Sequence, residues 1–394
     1  MTNQTSENMT IALVAGGTGG HIFPALAVAR ELARRGMTPI FLTDDRGQAY
    51  LRDVDDIEVL VLSAADPRGG TARALLQMPK AVTQASNVLS EVCPQAVIGF
   101  GGYATLAVMV AARLKGIATC LHEQNAILGR VNRLMARFTG AIALTYEETA
   151  LVPSTAMKRC RVTGNPVRSN FTEKMASSST SRERDRIFRL LVIGGSQGAV
   201  TFSEVVPAAL QLLPISIRER VHLTLQCRAE TLQEVTKKCD DAGIDADLSV
   251  FFDNMDQRLA ETDLVIARSG ASTISEVEIA GCPAILVPLP YAMDDHQTAN
   301  VQPLLREGAA WLVPQPEFTA QSLATRLQTL MENPDQLRAA ARAMKARARP
   351  DAAMRVADLV AKLAQLSGGA SLFDQPEDDA PHHIHSSWAL GGMI

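Results

Sequence analysis

Two segments of this 394-residue chain repeat the same order of chemistry: LVAGGTGGH at Leu13–His21 and LVIGGSQGA at Leu191–Ala199. Each is an apolar run that ends in small residues and leads into an amphipathic stretch, the first expected as a helix near Pro24–Arg35. Such a run reads as a buried parallel strand turning through glycines into a helix. Two openings of this kind, set almost half a chain apart, require two α/β domains in tandem. The runs around them agree. Pro39–Thr43, Ala96–Phe100, Ile117–Leu121 and Ala141–Leu144 follow the first opening; Val221–Leu225, Leu248–Phe252, Leu264–Ala267 and Ala284–Val287 follow the second. Helical stretches separate most of them, the rhythm of parallel sheets covered by helices. A hydrophobic content of 47% suffices for two such cores.

The expected organisation is a first Rossmann-like, doubly wound domain over 10–165 and a second over 166–349. The join lies near Gly164–Ser181, where MASSSTS at Met175–Ser181 and the charged Arg182–Arg186 carry nothing to pack. Pro334–Gln365 reads as helical with a break at Pro350, so 350–366 forms a closing helix. Residues 1–9 and the Gly-, Asp-, Pro- and His-rich tail 367–394 are expected to be disordered. Met1–Asn8 lacks the basic-then-apolar pattern of a signal peptide. No apolar run reaches the ~18 residues of a membrane span. Six scattered cysteines without CxxC spacing read as free thiols in a reducing compartment.

The formal charge is −4, with 38 basic against 42 acidic residues, which supplies no basic field for nucleic acid. The tail accounts for that surplus through Asp374, Glu377, Asp378 and Asp379, with no Lys or Arg. Residues 1–165 hold 16 basic against 13 acidic residues, a mild positive excess.

The site candidates sit at strand ends. Gly16, Gly17, Thr18, Gly19, Gly20 and His21 form a turn that lets backbone approach a ligand and aims a helix N-terminus at an anion, a diphosphate above all. The match to GxGxxG is incomplete, because Ile22 takes the third place, and no P-loop GxxxxGK[ST] occurs. Gly99–Tyr103, with Gly101, Gly102 and Tyr103, makes another glycine turn that would line the same cleft. His122, Glu123, Gln124 and Asn125 are four polar residues at a strand's carboxyl end. Gly164–Arg168 offers Arg168 at the domain junction. Ser269–Glu276 places hydroxyls and N–H groups at a strand-to-helix turn, where Glu276 suits the paired hydroxyls of a ribose; taken alone, it reads rather as a first-turn Glu favouring the helix dipole. Asp294-Asp295-His296-Gln297 opens another helix. Asp53 and Asp55 form a DxD pair in an acidic surface stretch and are not taken as a metal site. Gly194-Gly195-Ser196-Gln197-Gly198 matches the G-x-S-x-G elbow of α/β-hydrolases, with Asp253, Asp263 or His296 as its partners; a domain restarting at that point argues against it. His382, His383 and His385 read as a solvated tail.

Together, GGTGGHIFPALA, IGFGGYAT, HEQN, GNPVR, GGSQGA, RSGASTISE and DDHQTAN, in this order, resemble the family of peptidoglycan N-acetylglucosaminyltransferases over about residues 10–366. The resemblance implies the GT-B fold, two Rossmann-like domains facing a cleft. It implies inverting transfer of N-acetylglucosamine from UDP-N-acetylglucosamine to undecaprenyl-linked lipid I, giving lipid II, with no metal or other cofactor. The enzyme would be peripheral, on the cytoplasmic face of the bacterial inner membrane. On the donor side it implies Ser196, Ala271, Ser272, Thr273, Ile274 and Ser275 at phosphate and ribose, Glu276 on the ribose hydroxyls, Phe252 by its main chain at uracil and Gln297 at the sugar, with Arg168 reaching across. Thr18, Gly19, Gly20 and Asn125 would face the transferred sugar. Gly16, Gly17, Gly101, Gly102 and Tyr103 would cradle the acceptor's pyrophosphate. His21 is the first choice of general base and Glu123 the second. Leu75–Leu89, with Arg68, Arg73 and Lys80 beside it, is either an anionic-membrane contact or an ordinary core helix. Another UDP-sugar enzyme of the same fold and a serine hydrolase remain the competing readings.

Overall fold

The computed structural model describes residues 9–62, 71–168, 171, 187–195 and 200–366, with backbone alone for 71–75. Met175–Ser181, Arg182–Arg186, Ser196, Gln197, Gly198, Arg68, residues 1–8 and the tail 367–394 lie outside the described residues, as do the side chains of Arg73 and Leu75.

The chain forms two compact units. The first runs to Arg168 and resumes at Asp351; the second is Ser169–Pro350. The first unit holds a seven-stranded sheet in the order β3-β2-β1-β4-β5-β6-β7, all parallel. Its strands are β1 (Thr10–Val14), β2 (Thr38–Thr43), β3 (Glu58–Val61), β4 (Ala96–Gly99), β5 (Ala118–Glu123), β6 (Ala141–Leu144) and β7 (Cys160–Val162). Helices α1 (Gly19–Arg34), α2 (Asp45–Gln48), α3 (Thr71–Val92), α4 (Tyr103–Leu114) and α5 (Arg130–Met135) connect them. Strands β1 and β4 are buried over almost their whole length, as central strands covered on both faces must be. The chain moves one way from β1 to β2 and the other way to β4. The β1/β4 edge is therefore the topological switch point, where the connections diverge and leave a crevice at the carboxyl ends.

The second unit repeats this plan with six parallel strands in the order β10-β9-β8-β11-β12-β13. They are β8 (Phe188–Ile193), β9 (Val221–Gln226), β10 (Asp245–Ser249), β11 (Leu264–Ala267), β12 (Ala284–Leu286) and β13 (Ala310–Leu312). Its helices are α6 (Val200–Leu212), α7 (Ile215–Arg218), α8 (Ala229–Asp241), α9 (Met255–Glu261), α10 (Ala271–Ala280), α11 (His296–Arg306), α12 (Ala320–Glu332) and α13 (Pro334–Arg347). Its switch point lies between β8 and β11.

Four features differ from the sequence reading. The division follows Arg168 rather than residue 165, which moves Arg168 into the first unit. The last helix, α14 (Ala352–Gln365), belongs to the first unit as well. Val356, Val360 and Leu363 join Ile11, Leu13 and Leu26 in one buried cluster, and Arg35 pairs with Asp358 at 2.6 Å. Each fully buried Val or Leu contributes roughly 1.5–3 kcal/mol, so this return crossing is a principal support of the first sheet. Helix α1 begins at Gly19 rather than near Pro24, so Gly19 and Gly20 form its first turn. Strand β10 occupies Asp245–Ser249, leaving Phe252 in the loop that follows.

Candidate functional site

In the first unit, two glycine turns meet at the β1/β4 switch point. The register pairs Val14 with Gly99, so the residues after them emerge side by side. Gly102 has φ +86°, and a Cβ there would stand 2.8 Å from the Gly16 carbonyl oxygen. Only glycine admits that approach, and it locks one turn on the other. The Thr105 hydroxyl donates to the Gly101 carbonyl at 2.6 Å, and the buried Gln124 amide donates to the Phe100 carbonyl at 2.8 Å.

His21 lies between the turns. Its Nδ1 is 3.1 Å from the Gly16 carbonyl oxygen, and its Nε2 faces Gly101, 3.1 Å from where a Cβ would stand. A carbonyl only accepts, so Nδ1 carries the proton in the neutral ring and Nε2 is the basic nitrogen. The Thr18 hydroxyl is farther, at 3.5 Å. Thr18 caps α1 with no side-chain bond, which leaves the Gly19 and Gly20 N–H groups as the open donors of the first turn. Gly17 differs: its N–H donates to Asp44 Oδ1 at 3.1 Å and so does not serve a ligand. The same oxygen accepts from the Gly47 N–H at 2.8 Å. Asp44, buried at the end of β2, thus ties down the glycine turn from the neighbouring strand. That role has no local signal in the sequence and depends on the β1–β2 pairing.

Glu123 is a structural carboxylate. It is 2% exposed and accepts four bonds: from the Asn125 N–H at 3.0 Å and Asn125 side-chain amide at 3.2 Å on Oε1, and from the Gly129 N–H and Asn132 amide, each at 2.8 Å, on Oε2. Both oxygens are committed to holding the 123–132 loop, the contacts of a positioning group. Asn125 is presented by that loop. Arg168 does not start the second unit; its guanidinium lies 5.0 Å over the Phe23 ring, one turn into α1. Tyr103 is the half-buried first residue of α4.

His122 is fully buried, and its Nε2 donates to the Gly164 carbonyl at 3.1 Å, joining the end of β5 to the turn that carries Arg168. Burial pushes its pKa down to about 4. The unfolded chain therefore binds a proton between pH 6.5 and about 4 that the folded one refuses, and stability falls as pH drops through that window. The full loss is of order 3 kcal/mol. Thermal unfolding between pH 7 and pH 4.5 should show a steeper fall of Tm for the native chain than for His122→Gln; identical slopes would remove His122 as the cause.

In the second unit, α10 starts at the β8/β11 switch point with Gly270 as its cap and no capping side chain, so its first N–H groups face outward. The Ser269 and Ser272 hydroxyls are buried without a partner among the described residues. Ser272, Thr273 and Glu276 share the half-open face of the helix, whereas Ala271, Ile274 and Ser275 are buried. The Ser275 hydroxyl bonds back to the Ala271 carbonyl at 3.0 Å. Of the six positions, then, three present side chains and three offer backbone alone. The Phe252 ring is buried under the Arg258 guanidinium, 4.1 Å away, consistent with a main-chain role only. Gln297 accepts from the Leu289 N–H at 2.9 Å, so its amide N–H2 is what it offers a ligand. Asp294 and Asp295 before it hold left-handed backbone, φ 53° and 52°, the kind of strain that gathers at ligand sites. Arg268 is turned away, donating to the Val287 and Pro288 carbonyls and to Gln315.

Of the acids offered to a hydrolase triad, Asp263 precedes β11 and accepts from the Arg189 N–H at 2.9 Å, at the amino edge of the second sheet, away from the strand ends where α/β sites form. His296 bonds the Met293 carbonyl at 2.8 Å. Among the described residues no group of three His, Cys, Asp or Glu side chains is placed to hold a metal ion.

Residues 11–144 match the glycosyltransferase family 28 N-terminal domain and 189–356 the C-terminal domain of the same family. A protein of Paramagnetospirillum magneticum is 44% identical over 370 residues, 93% of this chain and 100% of its own length. The chain is a member of glycosyltransferase family 28. The relative's name is UDP-N-acetylglucosamine–N-acetylmuramyl-(pentapeptide) pyrophosphoryl-undecaprenol N-acetylglucosamine transferase. A protein of Rhodospirillum centenum with the same name is 42% identical, over 92% of this chain and 97% of its own. The crystal structure of Acinetobacter baumannii MurG superposes with a TM-score of 0.74 at 31% identity, over 90% of this chain and 99% of that one. These belong with the two parallel sheets in the GT-B fold. A UDP-GlcNAc 2-epimerase from Neisseria meningitidis, at 15% identity and a TM-score of 0.67, shares the architecture alone. The family 28 matches span both switch points described above.

Proposed function

We infer that this chain is the hexosyltransferase of peptidoglycan synthesis that moves N-acetylglucosamine from UDP-N-acetylglucosamine to the N-acetylmuramyl sugar of lipid I. The observation that carries the reading is near-full-length identity of 44% to an enzyme of that name. The first unit holds the acceptor and the base; the second holds the donor. His21 Nε2 takes the proton of the acceptor hydroxyl as that oxygen attacks the anomeric carbon. The bond from that carbon to the diphosphate oxygen breaks on the opposite face, and its electron pair leaves with UDP, so configuration inverts. The α10 N–H groups with Ser272 and Thr273 stabilise the diphosphate, and Glu276 accepts from the ribose hydroxyls. The Gly19 and Gly20 N–H groups, with Asn125 and the Arg168 cation one turn away, face the sugars. The direct test is transfer of labelled sugar from UDP-N-acetylglucosamine to a short-chain lipid I analogue; isomerisation of the donor sugar without transfer would place the chain with the epimerases.

A lipid acceptor brings the enzyme to the membrane, and we place it peripherally on the inner leaflet of the bacterial plasma membrane. No described helix is long and apolar enough to cross a bilayer. Along α3, Ala81, Ala85 and Leu89 are buried, and Val82 and Val88 pack against the core that holds Ala85 and Leu89. That part is an ordinary core-facing helix. Leu76 is 82% exposed and Lys80 is exposed beside it, which leaves the helix start as the membrane-facing part. Leu76→Glu with Lys80→Glu should reduce co-sedimentation with phosphatidylglycerol vesicles several-fold without lowering Tm. Unchanged sedimentation would move the contact elsewhere.

A further inference from the structure

We propose that Arg46 is an acceptor-binding residue, whose guanidinium takes a phosphoryl group of the lipid pyrophosphate beside the Gly16–Gly20 turn. The proposal rests on the reading of the first unit as the acceptor site. Three observations carry it. The Arg46 Nη2 atom lies 3.1 Å from where a Cβ on Gly17 would stand, so the guanidinium covers the turn at a residue with no side chain to exclude it. The side chain is 45% exposed, and its one ion pair among the described residues, to Asp44 Oδ2, is long at 3.4 Å. A half-exposed pair of that length is weak and re-aims at little cost. Its planar fork suits two phosphoryl oxygens at once.

Asp44 explains why a cation is needed at that place. Its Oδ1 is spent on the Gly17 and Gly47 N–H groups, but its second oxygen carries negative charge within 3.0 Å of a Cβ position on Gly16, in the turn itself. A carboxylate there repels an arriving pyrophosphate. Arg46 lies over that oxygen and screens it. Removing Arg46 therefore does two things: it deletes an attraction and uncovers a like charge. The Gly17 N–H shows what Asp44 gains in exchange, a turn held from the neighbouring strand. The pair thus separates two tasks, with Asp44 positioning the backbone and Arg46 presenting the charge.

The test is steady-state kinetics with a short-chain lipid I analogue and UDP-N-acetylglucosamine. Arg46→Ala should raise the acceptor KM at least tenfold and leave the donor KM unchanged. Arg46→Lys, which restores screening without the fork, should recover part of it. Asp44→Asn keeps an acceptor oxygen for the two N–H groups while losing the charge, so in the Arg46→Ala background it should lower the acceptor KM again. A merely structural Arg46 predicts no such rescue. A rise in donor KM instead, or an unchanged acceptor KM, overturns the proposal. Amide hydrogen exchange on the native enzyme separates this from the underlying reading. Acceptor-dependent protection at 16–21 and 99–103 with an unchanged KM in Arg46→Ala removes Arg46 alone. No protection at either turn removes the acceptor site itself, and the proposal with it.

Discussion

Replacing His21 with Ala should lower kcat by about 10²–10⁴, the usual worth of a positioned general base. Binding of UDP-N-acetylglucosamine, followed by titration calorimetry, should stay within a few-fold of the native value. The expectation comes from two contacts that fix the ring's chemistry. The Gly16 carbonyl holds the Nδ1 proton at 3.1 Å, which assigns the lone pair to Nε2. Gly101, at φ +98°, leaves the space in which Nε2 lies. A loss of that size is ~3–5 kcal/mol of barrier, far beyond what a small packing defect at a half-buried helix start produces. Because the donor is assigned to the second unit, its affinity is the internal control. Turnover within about fivefold of native would take the base away from His21.

The fold was legible because burial and turn chemistry act locally. Apolar runs such as Ile11–Val14 and Leu264–Ala267 have one good environment, the middle of a covered parallel sheet, and the glycines after them have one good use. Three of the four edge strands are not legible, and the fourth, β10, is legible only in part. Glu58–Val61, Cys160–Val162 and Ala310–Leu312 are only three or four residues long, and their pairing is imposed by the neighbouring strand. Nor was the crossing of α14 into the first unit. Its apolar stripe is plain in the sequence, but the stripe does not say which sheet receives it; Leu363 against Gly140 and Arg35 against Asp358 decide that. At the candidate site, the two glycine turns that meet at the β1/β4 switch point are legible, because glycine itself marks a close backbone approach. The residues that position them, Asp44 for the first turn and Asn132 for the loop after β5, were missed. Their partners are 27 and nine residues away and look like solvent-facing polar groups until the strands are laid side by side.

Glu123 is where local reading and structure part most sharply, and Glu123→Gln tests the difference. An acid beside a histidine at a strand's carboxyl end has the look of a catalytic base. In the fold both of its oxygens are saturated, Oε1 by Asn125 and Oε2 by Gly129 and Asn132. A glutamine has one acceptor oxygen, so whichever way its amide turns, an N–H2 group confronts donors that the carboxylate satisfied. Each buried donor left without its acceptor costs about 1–3 kcal/mol, so the substitution should destabilise the enzyme by roughly 2–5 kcal/mol. In units of this size that lowers Tm by about 10 °C. Activity per folded molecule should fall less than tenfold, through looser presentation of Asn125. A base would behave in the opposite way, because the Gln variant is nearly isosteric with the native side chain and cannot accept a proton: Tm would hold and kcat would collapse. The two outcomes separate on one melting curve and one rate measurement, and the four donors around the carboxylate predict the first.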